Sequence, residues 1–389
     1  MRIGRSLAIA AGVAGSALTP SALIAETKPT LPPYAGAYEP QTVDERGVWM
    51  QADEDERGLR DSQFLINDPA LSAYVRAVLC RTVGADRCRG VRLYIERVPA
   101  FNATMAPNGT LRVWTGMLLR LRNEAELAAV LAHEFAHFER RHSLAEYRHN
   151  RGATDVMAWA GLIGGAVSST VFNAALLSIP AFSRAEETEA DMLSARYIAA
   201  AGYDVRCFAD VWARLMDEAD ATALGRHQRS RRYDRVAFFA SHPTNLDRAI
   251  YLRDFAARQP IGGDTGQDAW SAALTPWRAG LLADQLKLND FGGTEYVLGQ
   301  LGADGWSEDL LFARAELYRT RGNPRDLVTA ANLYRQAIAI DPAHVDSYRG
   351  LGLALIRSGD AESGRAALRR YLDLAPGADD ASMLASLLS

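Results

Sequence analysis

The stretch ELAAVLAHEFAHFERRH, which begins at Glu126, limits the possible folds more than any other feature. His133 and His137 stand four residues apart with Glu134 between them. On a helix that interval places both imidazoles on one face, one turn apart, with the glutamate on the flank. The chain holds seven histidines in 389 residues, and fewer than about 0.015 chance occurrences of H-E-x-x-H are expected in it. Two histidines on a surface helix are the bland alternative. A catalytic metal helix is the sharper one, and it imposes a constraint. Catalytic zinc takes three protein ligands and leaves one position for water, so a second helix must bring the third ligand to this one.

The segment PAFSRAEETEADMLSARYIAAAGYD supplies that helix, and its glutamates separate by position. Ser183 at the N-cap with Glu186 three residues later makes a capping box, which gives Glu186 a structural task. Glu187 and Asp191 lie at i and i+4 on one face and point into a cleft together. Glu189 falls on another face and reads as solvated. Glu187 is therefore the expected third ligand. Asp191 is expected behind the ligands, accepting an N–H from a ligating histidine and fixing its tautomer.

The beginning of the chain reads as a targeting segment. Arg2 and Arg5 precede an apolar run from Leu7 to Leu18, and ALIAE offers cleavage after Ala25, with Ala22 as a second point. The expectation is an exported, periplasmic protein, with an uncleaved anchor as the alternative. In an oxidising compartment Cys80 and Cys88, flanking a short polar turn, are expected to form a disulfide rather than remain two buried thiols. Cys207 has no evident partner, and no paired C-x-x-C spacing suggests a cysteine metal site. With a net charge of −4 and basic residues spread along the chain, nothing suggests a nucleic-acid surface.

Residues 26–60 read as an extended lead-in or linker, and 61–260 as one catalytic domain. DPALSAYVRAVLC opens a helix with Asp68 as N-cap and Pro69 at its first position. GVRLYIERV and GTLRVWTG alternate as strands do, with FNATMAPNG between them. Asn123 and Glu126 begin the metal helix in a capping-box-like way, and that helix is expected to run to about His149. Residues 156–183 carry no charged side chain. A single span there would leave His137 and Glu187 on opposite sides of a ~30 Å hydrocarbon core, so a buried hairpin or lid with some membrane-surface contact is expected. From 270 to 389 the pattern is paired amphipathic helices. Pro342 and Pro376 are 34 residues apart, the tetratricopeptide period. Tyr348, Leu351, Gly352 and Leu368 fall in that register, as do Ala315, Tyr318, Ala330, Tyr334 and Ala337 after a short insertion at NPR. WRAGLLADQLKLNDFGGTEYVLGQL reads as a more degenerate first hairpin.

ELAAVLAHEFAH, SRAEETEAD and SHPTNLDR, taken in order, resemble the HtpX-like zinc metallopeptidases, a group that includes the CAAX prenyl endopeptidases. The resemblance covers roughly residues 65–255. It implies an α+β, mainly helical fold: a gluzincin-type metallopeptidase domain with a small sheet, followed here by an α-helical tetratricopeptide domain. It also agrees with Glu187 as ligand. The targeting segment and the repeats set the chain apart from multi-span members, and NATMAPNG departs from the more usual NAFALPGG without touching a ligand.

The expected chemistry follows. One Zn2+ per chain, held by His133, His137 and Glu187, activates a water, and Glu134 is the general base. Arg248, six residues after His242, is either the donor to the developing oxyanion or an ordinary helix-surface arginine. His242, expected on a loop just before a helix, is either a removable fourth ligand that holds the enzyme off or a surface or substrate-contact histidine. Substrate is expected as an added strand along the edge formed by Asn102, Ala103, Thr104 and Met105. Backbone-led capture suits unfolded or misassembled protein clients, with the repeats choosing clients or docking an assembly complex. A chaperone-like binder with latent proteolysis is the competing class. A peptidoglycan or small-peptide hydrolase ranks below both.

Overall fold

The computed structural model describes residues 31, 33–148, 183–230, 246–260 and 262–388, and the backbone of two short strands between 236 and 244. The targeting segment 1–25 and nearly all of the charge-free stretch 156–183 lie outside the described residues, and with them the expected membrane contact. Among the described residues no helix is long and apolar enough to cross a membrane. The fold is α+β and mainly helical, with a small sheet beside the metal helix.

The lead-in is not an extended linker. Its second half forms α1 (Val43–Arg60), started by a reciprocal capping box between Thr42 and Glu45. Polar anchors supplement a sparse apolar face of Ala52 and Leu59. Glu56 is buried and accepts from Arg92 Nε and Nη2, each at 2.7 Å, and from the Tyr94 hydroxyl at 2.7 Å. Glu45 accepts from the Gln41 amide and from Tyr38, and pairs with Arg148. Upstream of α1, the Tyr34 ring meets Phe135 of the metal helix at 6.4 Å.

Next comes α2 (Pro69–Val83). As expected, Asp68 Oδ1 accepts from the Leu71 amide at 2.7 Å with Pro69 at the first position. A disulfide joins Cys80 to Cys88 at the end of the four-residue α3 (Ala85–Cys88), with a Cα separation of 5.1 Å. The sheet holds β1 (Arg92–Glu96), β2 (Ala103–Met105) and β3 (Thr110–Trp114) in the order β1-β3-β2. β1 runs parallel to β3 and β2 antiparallel to it. Leu111 and Val113 of β3 turn into the core, while Arg112 faces out and pairs with Glu96 at 2.7 Å. That alternation is the period-2 pattern read in the sequence. β2 and β1 are the two edge strands, and β2 is the one that packs against the metal helix.

After α4 (Thr115–Arg120), the metal helix α5 spans Glu124–Arg140. Asn123 Oδ1 accepts from the Glu126 amide at 2.9 Å, and the Glu126 carboxylate reaches back to the Arg122 amide rather than the cap's own. The helix stops well short of His149, because Arg141 takes a left-handed conformation with φ 62°. Residues 142–148 then form a separate helical turn. α6 (Arg184–Ala200) packs along α5, and Ser194 Oγ donates to the Ala129 carbonyl at 2.8 Å. α7 (Arg206–Gly225), the ribbon of β4 (Val236–Phe238) and β5 (His242–Thr244), and α8 (Leu246–Ala257) complete the N-terminal half.

The boundary at 260–270 is not where the core ends. α9 (Gln267–Leu286) and α10 (Phe291–Leu301) do not form the expected first repeat hairpin. Trp270, Leu274, Leu281, Leu282, Val297 and Leu298 join the same core cluster as the metal helix. α10 lies against α7, where a Cβ on Gly292 would stand 2.1 Å from the Ala221 carbonyl oxygen. Only glycine permits that crossing. α11 (Glu308–Arg321) faces two ways, with Leu310, Ala313 and Leu317 in the catalytic core and Leu311 and Ala315 in the repeat core. The repeats continue through α12 (Pro324–Ile340), α13 (Val345–Ser358), α14 (Ala361–Leu374) and α15 (Ala381–Ala385). NPR is a helix start rather than a loose insertion: Asn323 caps α12, Pro324 follows, and Asp326 closes the box. Ala315, Ala330, Tyr334, Ala337, Leu351 and Leu368 are buried, as their register requires.

Candidate metal centre

Local sequence first fixes where the two helices begin. The Ser183–Glu186 capping box forms as expected, so Glu186 stays at the solvent-facing start of α6. One residue on, Glu187 is 2% exposed and faces α5. Its carboxylate lies 3.6 Å from His133 Nε2 and 3.5 Å from His137 Nε2, and those two nitrogens are 3.1 Å apart. Among the described residues these three side chains form the one group of donors close enough to share an ion. Donors about 2.0–2.1 Å from a tetrahedral zinc stand about 3.3 Å from one another, so the separations fit.

The ring orientations fit as well. His133 Nδ1 lies 2.9 Å from Asp191 Oδ1, which turns its Nε2 toward the other donors. Asp191 is fully buried. Burial opposes its charge, but the Arg248 guanidinium and His133 prevail and hold its carboxyl well below the usual range. Two inward lone pairs beside a buried carboxylate are the donor set that a metal ion such as zinc needs. Glu134 sits between the histidines on α5, 2% exposed.

Arg248 requires a correction. It is not a helix-surface arginine. It is 2% exposed and gives Asp191 a two-pronged pair, Nε to Oδ2 and Nη2 to Oδ1, each at 2.7 Å. Its Nη1 lies 2.7 Å from Glu187 Oε2. One guanidinium therefore neutralises two carboxylates and orients Glu187 from behind. His242 also differs from expectation: its backbone lies in β5, paired with Phe238, rather than on a loop. Ala103, Thr104 and Met105 form the edge strand β2, while Asn102 stands just before it and is fully buried.

Several site residues went unread in the sequence. Trp212 of α7 stacks under Arg248 at 4.3 Å and meets the His133 ring edge-on at 5.9 Å. Phe208, one turn earlier on α7, also meets His133. Tyr251 donates its hydroxyl to Asp191. His142 touches His137, and Glu189, exposed as its face of the helix implied, also pairs with Arg140 and His142. Phe208 and Trp212 recur at helical spacing and look like ordinary core, so nothing in the sequence marks them as a wall of the site.

Comparison with known proteins agrees with this geometry. Residues 69–256 match peptidase family M48, and 316–389 match the tetratricopeptide repeat. The mitochondrial metalloendopeptidase OMA1 of Schizosaccharomyces pombe is 31% identical over 49% of this chain and 55% of its own length. The putative beta-barrel assembly-enhancing protease of Vibrio cholerae is 29% identical over 50% of this chain and 43% of its own. The Escherichia coli beta-barrel assembly-enhancing protease is 26% identical over 42% and 36%. The chain spans about half, or less, of the length of these relatives. His133, His137 and Glu187 converge inside the M48 peptidase domain at residues 69–256, and tetratricopeptide repeats follow that domain.

Proposed function

We propose that this protein is an exported, periplasmic zinc metalloendopeptidase that cleaves unfolded or stalled proteins. The observation that carries the reading is the meeting of two inward Nε2 atoms and a buried carboxylate at 3.1–3.6 Å, with Glu134 alongside. His133, His137 and Glu187 would hold one zinc ion per chain. When bound, zinc supplies a Lewis acid that acidifies a water and polarises the scissile carbonyl. Glu134 takes the water's proton and delivers it to the leaving amine. Asp191 and Arg248 keep His133 and Glu187 oriented through that transfer.

Substrate enters as an added strand along Ala103–Met105, with Asn102 at its start. The outer place of β2 in its sheet, against α5, supports this. Backbone capture tolerates many sequences, which suits unfolded clients, outer-membrane proteins among them, and the relatives' names point the same way. The repeats select clients or dock an assembly complex. His242 acts as a removable fourth ligand; β5 leads directly into α8, which carries Arg248 to Glu187.

A latent enzyme, mainly a chaperone-like binder, is the second reading. The near-complete burial of His133, Glu134, His137 and Glu187 favours it. Zinc analysis and cleavage of an unfolded reporter test both. Wild type should carry about one zinc per chain. Glu134→Gln should keep it and lose cleavage by about 10²–10⁴-fold, because the proton carrier alone is removed. Cleavage retained in that variant refutes the mechanism. His242→Ala should raise basal cleavage at full zinc occupancy, and unchanged activity refutes the gate.

A further inference from the structure

FERRH leaves one buried histidine with no role in the chemistry above. His142 is 4% exposed, and its Nδ1 lies 2.9 Å from Nδ1 of His137. Its Nε2 lies 3.4 Å from Glu189 Oε2, and Glu189 is held in turn by Arg140 Nε at 3.0 Å. His137 turns Nε2 toward His133 and Glu187, so Nδ1 is its outward nitrogen. Two ring nitrogens at that distance hold one proton between them, one donating and the other accepting. A metal on Nε2 of His137 requires the proton on its Nδ1. His142 must then accept at Nδ1 and carry its own proton on Nε2, the nitrogen that faces Glu189.

The backbone is bent to make this contact. On an uninterrupted helix residue 142 would stand about 140° round from His137. The left-handed Arg141, φ 62°, breaks α5 and folds the chain back onto His137. An arginine takes that conformation at a cost, and something must hold it there. Its guanidinium lies 4.1 Å from the centre of the Tyr38 ring, part of the lead-in before α1.

We propose that His142 is a positioning residue for the metal, accepting the His137 Nδ1 proton and relaying the hydrogen bond to Glu189. It does for His137 what Asp191 does for His133. The proposal rests on the assignment of His133, His137 and Glu187 as ligands. Loss of such partners lowers metal affinity by about 10- to 100-fold.

The test uses the full chain in a Glu134→Gln background, with zinc affinity measured against a chromophoric chelator and Co2+ as a visible-spectrum probe. His142→Ala should weaken zinc by about 10- to 100-fold and alter the Co2+ bands. His142→Asn, whose Oδ1 stands where Nδ1 stood, should restore most of both. Wild-type affinity in the alanine variant overturns the proposal, as does an asparagine variant that folds yet binds no better than alanine. Should the alanine variant not fold, nitrogen NMR of histidine-labelled, zinc-loaded protein decides. His142 should show a bare Nδ1 and a protonated Nε2, and the reverse tautomer refutes the proposal. Failure of the parent protein to bind zinc at all would instead remove the ligand assignment beneath it.

Discussion

The catalytic half and the repeat half bury different things. Around α5 the interior holds His133, Glu134, His137, His142, Glu187, Asp191 and Arg248, each at most 4% exposed. From Glu308 onward the buried polar residues among those described are Asp326 and Ser347, both in the first turn of a helix. The repeats are held by shape, with Tyr334 and Leu368 set against Gly350 and Gly352. The catalytic half is held by shape and by a closed set of charges. Buried charges contribute little net stability, but removing one partner strands the others. The two halves should therefore fail differently.

The largest effect is expected at Arg248. Arg248→Met leaves Asp191 and Glu187 buried together without their shared cation. A loss of about 3–5 kcal/mol is expected, along with the zinc. The corresponding change in the repeats, Arg319→Met, removes a pair with Glu316 and a bond to the Tyr334 hydroxyl at the edge of the core and should cost less, about 1–3 kcal/mol. Denaturant melts of both variants check the contrast, and equal losses would erase it.

Second is a packing change in the repeats. Leu368→Ala empties a fully buried site over Gly352 and should cost about 2–5 kcal/mol with zinc retained. Truncation sharpens the same point. Deleting 323–389 removes only repeat helices and should leave zinc bound. Deleting 270–389 also strips Trp270, Leu274, Leu281 and Leu298 from the catalytic core and should lose it. Zinc retained in the longer deletion would restore the boundary that composition suggested.

What the sequence revealed divides along the same line. H-E-x-x-H, the Ser183 box and the Glu187–Asp191 interval were legible because each is a local rule about one helix. The repeat register was legible because its period recurs. His142 was not, since its contact depends on a single left-handed residue that no pattern announces. Arg248 was misread because a polar residue on a mostly apolar helix gives no sign of being buried. α9 and α10 looked like repeats because both have amphipathic faces, and only tertiary packing decides which core receives them. α1 was missed for the opposite reason: its buried face holds the carboxylates Glu45 and Glu56 and only two apolar residues, Ala52 and Leu59.

Third in size is the crossing that ties α10 to α7. Gly292→Ala places a methyl group against the Ala221 carbonyl, which is backbone and cannot step aside. A loss of about 1–3 kcal/mol is expected. A neutral result in a thermal melt would mean that the two helices do not cross so closely.

The smallest effect concerns α1, where charge holds a helix that shape does not. The Glu45 carboxyl is drawn down to about 2 by the Gln41 amide first, with Tyr38, Arg148 and Thr42 adding to it against the opposing effect of burial. A folded-state pKa below the ordinary 4.5 means that docking α1 favours the ionised form. The contribution is complete above about pH 4.5 and is lost as pH falls toward 2. In that window α1 should loosen before the repeats, whose contacts are mainly apolar. Trp49 lies on α1, 5.9 Å from the Tyr38 ring, so the fluorescence difference between wild type and Trp49→Phe follows this contact. The difference signal should change between pH 4.5 and 2 in the wild type. In Glu45→Gln it should be displaced already at neutral pH and stay flat on acidification. A wild-type signal that moves only with global unfolding would show that the carboxylate anchors contribute nothing separable, and that α1 belongs to the core as fully as α5 does.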